Sequence, residues 1–190
     1  MENFKSGGII NSCDVGADHV ILGVPFDLTS SGHKGADEGP KAIREMLEFQ
    51  IEPYHQLLDC VLCDSIKIAW YTMFIGPTPT KTAEGTKHLW LTSAQMVEKV
   101  KALCTACYTA KQSFTIVGGE HSVTIPALMA YAEMYDPSDV TIVAIDAHLD
   151  LRDTDEYREK PYGKFAHCCV MRRAHELGFN ILNKAAFIIQ

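Results

Sequence analysis

No stretch of the chain runs for about 18 apolar residues, so nothing in it is expected to span a membrane. The opening residues, Met1-Glu2-Asn3-Phe4-Lys5-Ser6-Gly7-Gly8, carry an acidic side chain and lack an apolar stretch. They do not read as a secretory signal, and the expected compartment is the cytoplasm. There is no basic block and no stripe of Lys and Arg. With 17 Lys and Arg against 24 Asp and Glu, the formal net charge is -7. That balance argues against nucleic acid as a partner and mildly favours a cationic small molecule. Internal repeats and low-complexity tracts are absent.

Complete internal pairing of the cysteines is excluded too, because there are seven of them. Without a secretion signal, thiols are expected rather than disulfides. Cys60-x-x-Cys63 and Cys104-x-x-Cys107 have spacings that a zinc ribbon could use. Against this, Cys104 and Cys107 fall on the apolar stripe of an expected helix, where cysteine behaves as a small hydrophobe.

What is present suits one domain with a buried core: 190 residues, 47% of them hydrophobic. Residues 20–26 (VILGVPF) read as a buried strand. A loop rich in Ser, Gly and Asp follows over residues 27–39, and Pro40 opens a helix over residues 41–49. Residues 51–91 carry no clear pattern. A strand is expected at residues 66–69 or 71–75, and Gly76-Pro77-Thr78-Pro79 reads as a break. Thr92-x-x-Gln95 has the form of a capping box, and Met96, Val97, Val100, Leu103, Cys104 and Cys107 follow at helical spacing. A strand at 114–117, a helix at 122–135, a strand at 140–145 (VTIVAI), a helix at 166–177 stopped by Gly178, and a strand at 185–189 complete the reading. Strands alternate with helices, so the expected class is α/β with a mostly parallel sheet.

In such sheets ligands gather at the carboxyl ends of strands. Glu120-His121 follows one strand, and Asp146-Ala147-His148-Leu149-Asp150 follows another. If the second segment stays extended, Asp146, His148 and Asp150 point to one side. Two carboxylates at a strand end are costly to bury unless a cation compensates them. A carboxylate and imidazole set without sulfur favours Mn²⁺, with Fe²⁺, Co²⁺, Ni²⁺ or Zn²⁺ as lesser alternatives. Asp146 could bridge two ions, which at a separation of about 3.5–4 Å can share a hydroxide. The bland alternative is an Asp that caps a following turn and a histidine that merely packs.

Three stretches resemble the ureohydrolase family. They are Gly23-Val24-Pro25-Phe26-Asp27 through Gly39-Pro40-x-x-Ile43-Arg44, then Gly118-Gly119-Glu120-His121-Ser122, and Asp146-Ala147-His148-Leu149-Asp150 through Met171-Arg172-Arg173. The resemblance implies a three-layer α/β/α fold of the arginase–deacetylase kind and a binuclear manganese centre. It also implies hydrolysis of a guanidinium carbon to release urea, with metal-bound hydroxide as nucleophile. By position, His121, Asp146 and Asp150 would bind one metal, and His148 with the bridging Asp146 the other. His167 aligns with a proton-shuttling histidine, a role its ordinary pKa range suits.

Within the family, Asp-Ala-His-Leu-Asp-Leu-Arg-Asp and Ala-His-Cys-Cys-Val-Met-Arg-Arg look like agmatinase more than arginase. That implies agmatine converted to putrescine, a step of polyamine biosynthesis. The loop Leu151-Arg152-Asp153-Thr154-Asp155-Glu156 lacks the Asn and Ser residues with which arginase holds an α-carboxylate. Its acidic side chains would suit a second cation, although Arg152 pulls the other way. Residues 33–35 read His-Lys-Gly where the family often has Arg-Pro-Gly, and residues 57–87 depart furthest.

The family supplies two more metal-binding Asp residues and a substrate-binding Glu beyond a later strand, and no Asp-x-Asp pair follows Glu156 here. The expectation is therefore a single ureohydrolase-like domain over residues 1–190, an N-terminal fragment or natural truncation whose activity alone is poor or nil. As a whole it would be a trimeric or hexameric homo-oligomer acting on a small cationic guanidino substrate. The alternatives are a non-catalytic member that packs with complete subunits, or a ureohydrolase for arginine, guanidinobutyrate or formimidoylglutamate.

Overall fold

The structure is a computed structural model that describes residues 9–10, 16–50, 54–61, 66–73, 78–82, 85–89, 91–156 and 162–185. Among the described residues ten strands occur in chain order: β1 Ile9–Ile10, β2 His19–Val24, β3 Tyr54–His55, β4 Cys60–Val61, β5 Ile68–Thr72, β6 Thr78–Thr82, β7 Gly85–Leu89, β8 Ser113–Gly118, β9 Thr141–Asp146 and β10 Asn180–Ala185. The α-helices are α1 Gly39–Gln50, α2 Ser93–Thr109, α3 Ile125–Met134 and α4 Val170–Glu176. Among the described residues, no helix is long and apolar enough to cross a membrane.

The chain divides into two compact units, and each is described by itself. The first comprises Met1–Asp27, Lys34–Ile75 and Ala106–Gly119. Its sheet has the order β1-β5-β2-β8, with every pairing parallel. The apolar run behind β2 buries Val20, Leu22 and Val24, and Ala69 and Trp70 of β5 are buried too. Val20, Leu22 and Val24 line one face of β2, while the adjacent Ala69 and Trp70 bury both faces of β5, as central parallel strands require. At the end of β8 the Gly119 N–H donates to the Val24 carbonyl at 3.1 Å. A Cβ on Gly119 would lie 2.2 Å from the Phe26 carbonyl oxygen, so the close approach of two backbones demands glycine there. In the loop before α1, the Asp27 carboxylate accepts the Gly35 N–H at 2.7 Å, and Gly35 has φ 126, open to glycine.

The second unit comprises Leu28–His33, Gly76–Thr105 and Glu120–Gln190. The capping box at its helix α2 is formed: Gln95 Oε1 accepts the Thr92 N–H at 2.9 Å, and Thr92 Oγ1 accepts the Gln95 N–H at 3.3 Å. Met96, Val97, Val100 and Cys104 are buried along α2, and so is Cys107, on the end of the helix that belongs to the first unit, in keeping with the two cysteines acting as hydrophobes. Cys63, from the other CxxC spacing, lies outside the described residues. Strand β10 pairs in parallel with β9, from Asn180 opposite Thr141 to Ala185 opposite Asp146. Between them α4 buries Val170, Met171 and Ala174. Gly178 stops it at φ 95, its N–H donating to the His175 carbonyl at 3.0 Å.

Several boundaries differ from the sequence reading. Among the described residues the last strand is Asn180–Ala185, which the sequence does not announce; of the strand expected at 185–189, residues 186–189 lie outside those described. Only Phe179 separates β10 from Gly178, and Asn180, Asn183 and Lys184 interrupt the apolar pattern that marks a strand. The two helices expected at 122–135 and 166–177 each begin as a 3-10 turn, His121–Thr124 and His167–Cys169. In the first, the Glu120 carboxylate captures the Ser122 N–H at 2.8 Å, and Pro126 offers no N–H to the opening turn. Strand β5 straddles both of the segments considered for it. Strand β6 runs through Pro79, which reads as a break. It pairs antiparallel with β7 as a two-stranded ribbon, where every strand is an edge and proline is tolerated.

Candidate metal centre

Strand β9 ends on Asp146, and its carboxylate turns the chain at once. Asp146 Oδ1 accepts the His148 N–H at 2.8 Å, the local bond that Asp makes readily with the backbone two residues on. Asp150 then adopts φ 46, and its carbonyl accepts N–H groups from Met171 at 3.0 Å and Arg172 at 3.2 Å, in the first turn of α4. The segment is therefore bent rather than extended, and the expectation that 146, 148 and 150 share one side does not hold. Asp146 and Asp150 turn towards His121 instead. His121 Nδ1 lies 2.6 Å from Asp150 Oδ2 and 3.5 Å from Asp146 Oδ2. One donor atom from each of the three residues falls within 4.8 Å of the others. Asp150 is the most enclosed, its side chain 10% exposed. His148 stands outside the cluster, 83% exposed, with Nδ1 3.6 Å from Asp146 Oδ1.

Two carboxylates and an imidazole so close fit one divalent cation with a preference for oxygen and nitrogen donors. The carboxylates repel one another at this range, and a cation removes that penalty.

His167 sits elsewhere in the same unit, at the start of the turn that leads into α4. It lines an open cleft of about 840 Å³, together with Ser31, His148, Asp150, Arg152 and Asp155. Donor atoms of His167, Asp155 and Cys168 lie within 4.8 Å of one another. Cys169 beside them is fully buried, and burial pushes its thiol up to about 12; burial also raises Cys168. Neither is a ready thiolate near neutral pH.

Three residues that support these groups had no assigned role in the sequence reading. Glu120 is buried. Its Oε1 accepts the Thr29 hydroxyl at 2.7 Å and the Ser122 hydroxyl at 2.8 Å, and its Oε2 accepts the Ser122 N–H at 2.8 Å. The Glu-His-Ser order does contain a cap signal, a carboxylate two residues before the amide it holds. Thr29, fully buried in a loop of small polar residues, gives no such signal. Arg173 is buried and donates from Nη2 to Asp153 at 2.8 Å and to Glu176 at 3.0 Å. That hydrogen bond holds the Asp153 carboxyl below its ordinary value.

The arginase family model matches residues 17–188. The agmatinase of Pyrococcus horikoshii is 32% identical over 169 residues, which is 87% of this chain and 50% of that protein. The N(1)-aminopropylagmatine ureohydrolase of Thermococcus kodakarensis is 34% identical over 166 residues, 85% of this chain and 48% of that one. Among solved structures, the formiminoglutamase of Trypanosoma cruzi with Mn²⁺ superposes with a TM-score of 0.69 at 22% identity, covering 92% of this chain and 54% of that chain. This likeness establishes a shared α/β fold. The chain spans about half the length of the curated relatives it matches.

Proposed function

The chain belongs to the arginase family, and on that footing we propose that it serves the metal-dependent hydrolysis of a guanidino compound to urea and an amine, with agmatine to putrescine as the reference reaction. The convergence of His121, Asp146 and Asp150 within 4.8 Å carries this reading. The relative named agmatinase supports the substrate class. Mn²⁺ in the solved formiminoglutamase, together with the nitrogen and oxygen donors here, supports manganese.

In this reading His121, Asp146 and Asp150 hold one cation, while Asp146 and the exposed His148 are available to a second. A divalent cation held there would supply Lewis acidity for hydrolysis near neutral pH. His167, in the cleft that Asp150 also lines, carries a proton to the departing amine. Of the acidic residues after Asp150, Asp153 is engaged by Arg173 and Asp155 is buried. Glu156, which is exposed, is the better candidate for a second cationic group on the substrate. A longer amine substrate is the second reading, favoured by the 34% identical aminopropylagmatine ureohydrolase.

The test is calorimetric titration of Mn²⁺ into the chain and its variants. Asp150→Asn keeps a residue that tolerates φ 46 while removing the charge, and His121→Ala removes the imidazole. Each is expected to weaken binding roughly tenfold or more, judging from the 10–100-fold effects seen even for groups behind the ligands. Unchanged affinity in both variants would sink the assignment. Urea release, compared across agmatine, aminopropylagmatine and arginine, discriminates the substrates.

A further inference from the structure

Thr29 occupies an unusual position for a loop threonine: it is fully buried between a carboxylate and a histidine. Its hydroxyl oxygen lies 2.7 Å from Glu120 Oε1 and 3.3 Å from His167 Nδ1, and it accepts the His167 backbone N–H at 2.9 Å. A hydroxyl has one proton to give and two lone pairs. Where that proton goes determines where the imidazole's proton must be.

Two observations direct the proton to Glu120. The first is distance. The 2.7 Å separation is that of a hydroxyl donating to a carboxylate, and the 3.3 Å approach of the ring nitrogen is the weaker of the two contacts whichever atom donates. The second is the state of Glu120. It accepts the Ser122 N–H and the Ser122 hydroxyl besides Thr29, a surrounding made wholly of donors, which suits an acceptor-only carboxylate. A hydrogen bond to an ionised acceptor is roughly twice as strong as one between neutral groups, so the carboxylate outcompetes the imidazole for the threonine's proton. The oxygen of Thr29 is then left with lone pairs only, and His167 must approach it as a donor, from Nδ1–H as well as from its backbone.

We infer that Thr29 is a positioning residue that, backed by Glu120, fixes His167 as the Nδ1–H tautomer and so makes Nε2 the nitrogen that gains and loses a proton. The inference rests on the proposed proton-carrying role of His167. It supplies what that role needs, a ring whose tautomer and orientation are set by a partner on the other nitrogen. The backbone N–H of His167 on the same oxygen ties the ring's anchor and its main chain to one atom. Among the described residues, Asp155 and Cys168 also bring donor atoms within 4.8 Å of a His167 ring nitrogen, and Thr29 is the one whose oxygen receives both the backbone N–H and the Nδ1 of His167.

Long-range proton–nitrogen NMR spectra of the ¹⁵N-labelled, metal-free chain read the tautomer directly. The His167 signals are identified by their loss in His167→Gln, and the pH is raised until the rings are neutral. The expected result is a protonated, pyrrole-type Nδ1 and a pyridine-type Nε2 for His167. Thr29→Val, nearly the same shape without the hydroxyl, is expected to shift the nitrogen frequencies towards the Nε2–H form. Thr29→Ser, which restores the hydroxyl, is expected to keep the wild-type pattern. A wild-type spectrum with the proton on Nε2 overturns the inference, as does a folded Thr29→Val chain with the wild-type pattern. If Thr29→Val fails to fold, the wild-type and Thr29→Ser spectra decide on their own. Because no metal or substrate takes part, this result is independent of the Mn²⁺ titration, and either reading can fail without the other.

Discussion

Asp150 and Cys169 lie close together in the same unit and illustrate how differently single residues are constrained. The left-handed backbone of Asp150, φ 46, is one that few residues other than glycine, Asn and Asp adopt cheaply. Two N–H groups from the first turn of α4 hold its carbonyl there, so the backbone is fixed by the helix and the carboxylate is left to face His121. Cys169 has a purely structural constraint. Its buried thiol is pushed up to about 12, chiefly by desolvation of the thiolate. A folded-state value above the unfolded one means that the neutral thiol stabilises the fold. That stability is fully present below about pH 9, the ordinary value, and is lost as pH rises towards about 12. By about pH 10 the loss is expected to be on the order of 1 kcal/mol. Urea denaturation at pH 7 and at about pH 10 checks this, with Cys169→Ala as the comparison. The alkaline drop should shrink in the variant, and an equal drop in both proteins would exclude Cys169 as its source.

Among the elements, α2 shows local sequence and packing in agreement. Thr92 and Gln95 exchange the reciprocal bonds of a capping box, and the apolar stripe behind them is buried. Thr92→Ala should cost about 1 kcal/mol, read as a lower urea midpoint with an unchanged slope; an unaltered midpoint would mean that the cap is redundant. Elements of this kind were legible because short-range rules dictate them. So were β2, β8 and β9 as strands, from their apolar runs, but only β2 is largely buried; β9, which its sequence marks as a buried strand, buries Ala144 alone. Less was legible where a partner decides the outcome. Strand β10 contains two asparagines and a lysine, and its place is set by its parallel register with β9. Strand β6 crosses a proline because the ribbon it forms has only edges. The same division runs through the site. That His121, Asp146 and Asp150 would come together was legible from family likeness. The burial of Thr29 between Glu120 and His167 was not, because contacts 91 and 138 residues apart in sequence create it, and the bend that exposes His148 depends in part on the bonds of the Asp150 carbonyl to the first turn of α4.

At the scale of the molecule, the polar site and an apolar surface share one strand. Strand β9 carries Asp146 at its end. Its sequence, almost wholly apolar, is of the kind found in strands covered on both faces. Yet Ala144 is buried while Val143 and Ile145 are 60% and 84% exposed, and Leu182 on β10 is 47% exposed. Apolar side chains grouped on a strand pair in this way favour association between molecules, more so when the net charge is modest. The net charge of -7 opposes close approach only at low ionic strength. Self-association of the purified chain should therefore increase with protein concentration and with salt, measured by light scattering. Val143→Lys places a charge on this face three residues from the nearest proposed ligand, and it should lower the scattering while leaving Mn²⁺ affinity within about twofold, the near-neutral behaviour of surface changes away from a site. Scattering that is as strong in Val143→Lys as in the parent chain would assign the association to another surface. A matching loss of Mn²⁺ binding would mean instead that the face and the metal centre depend on each other through β9.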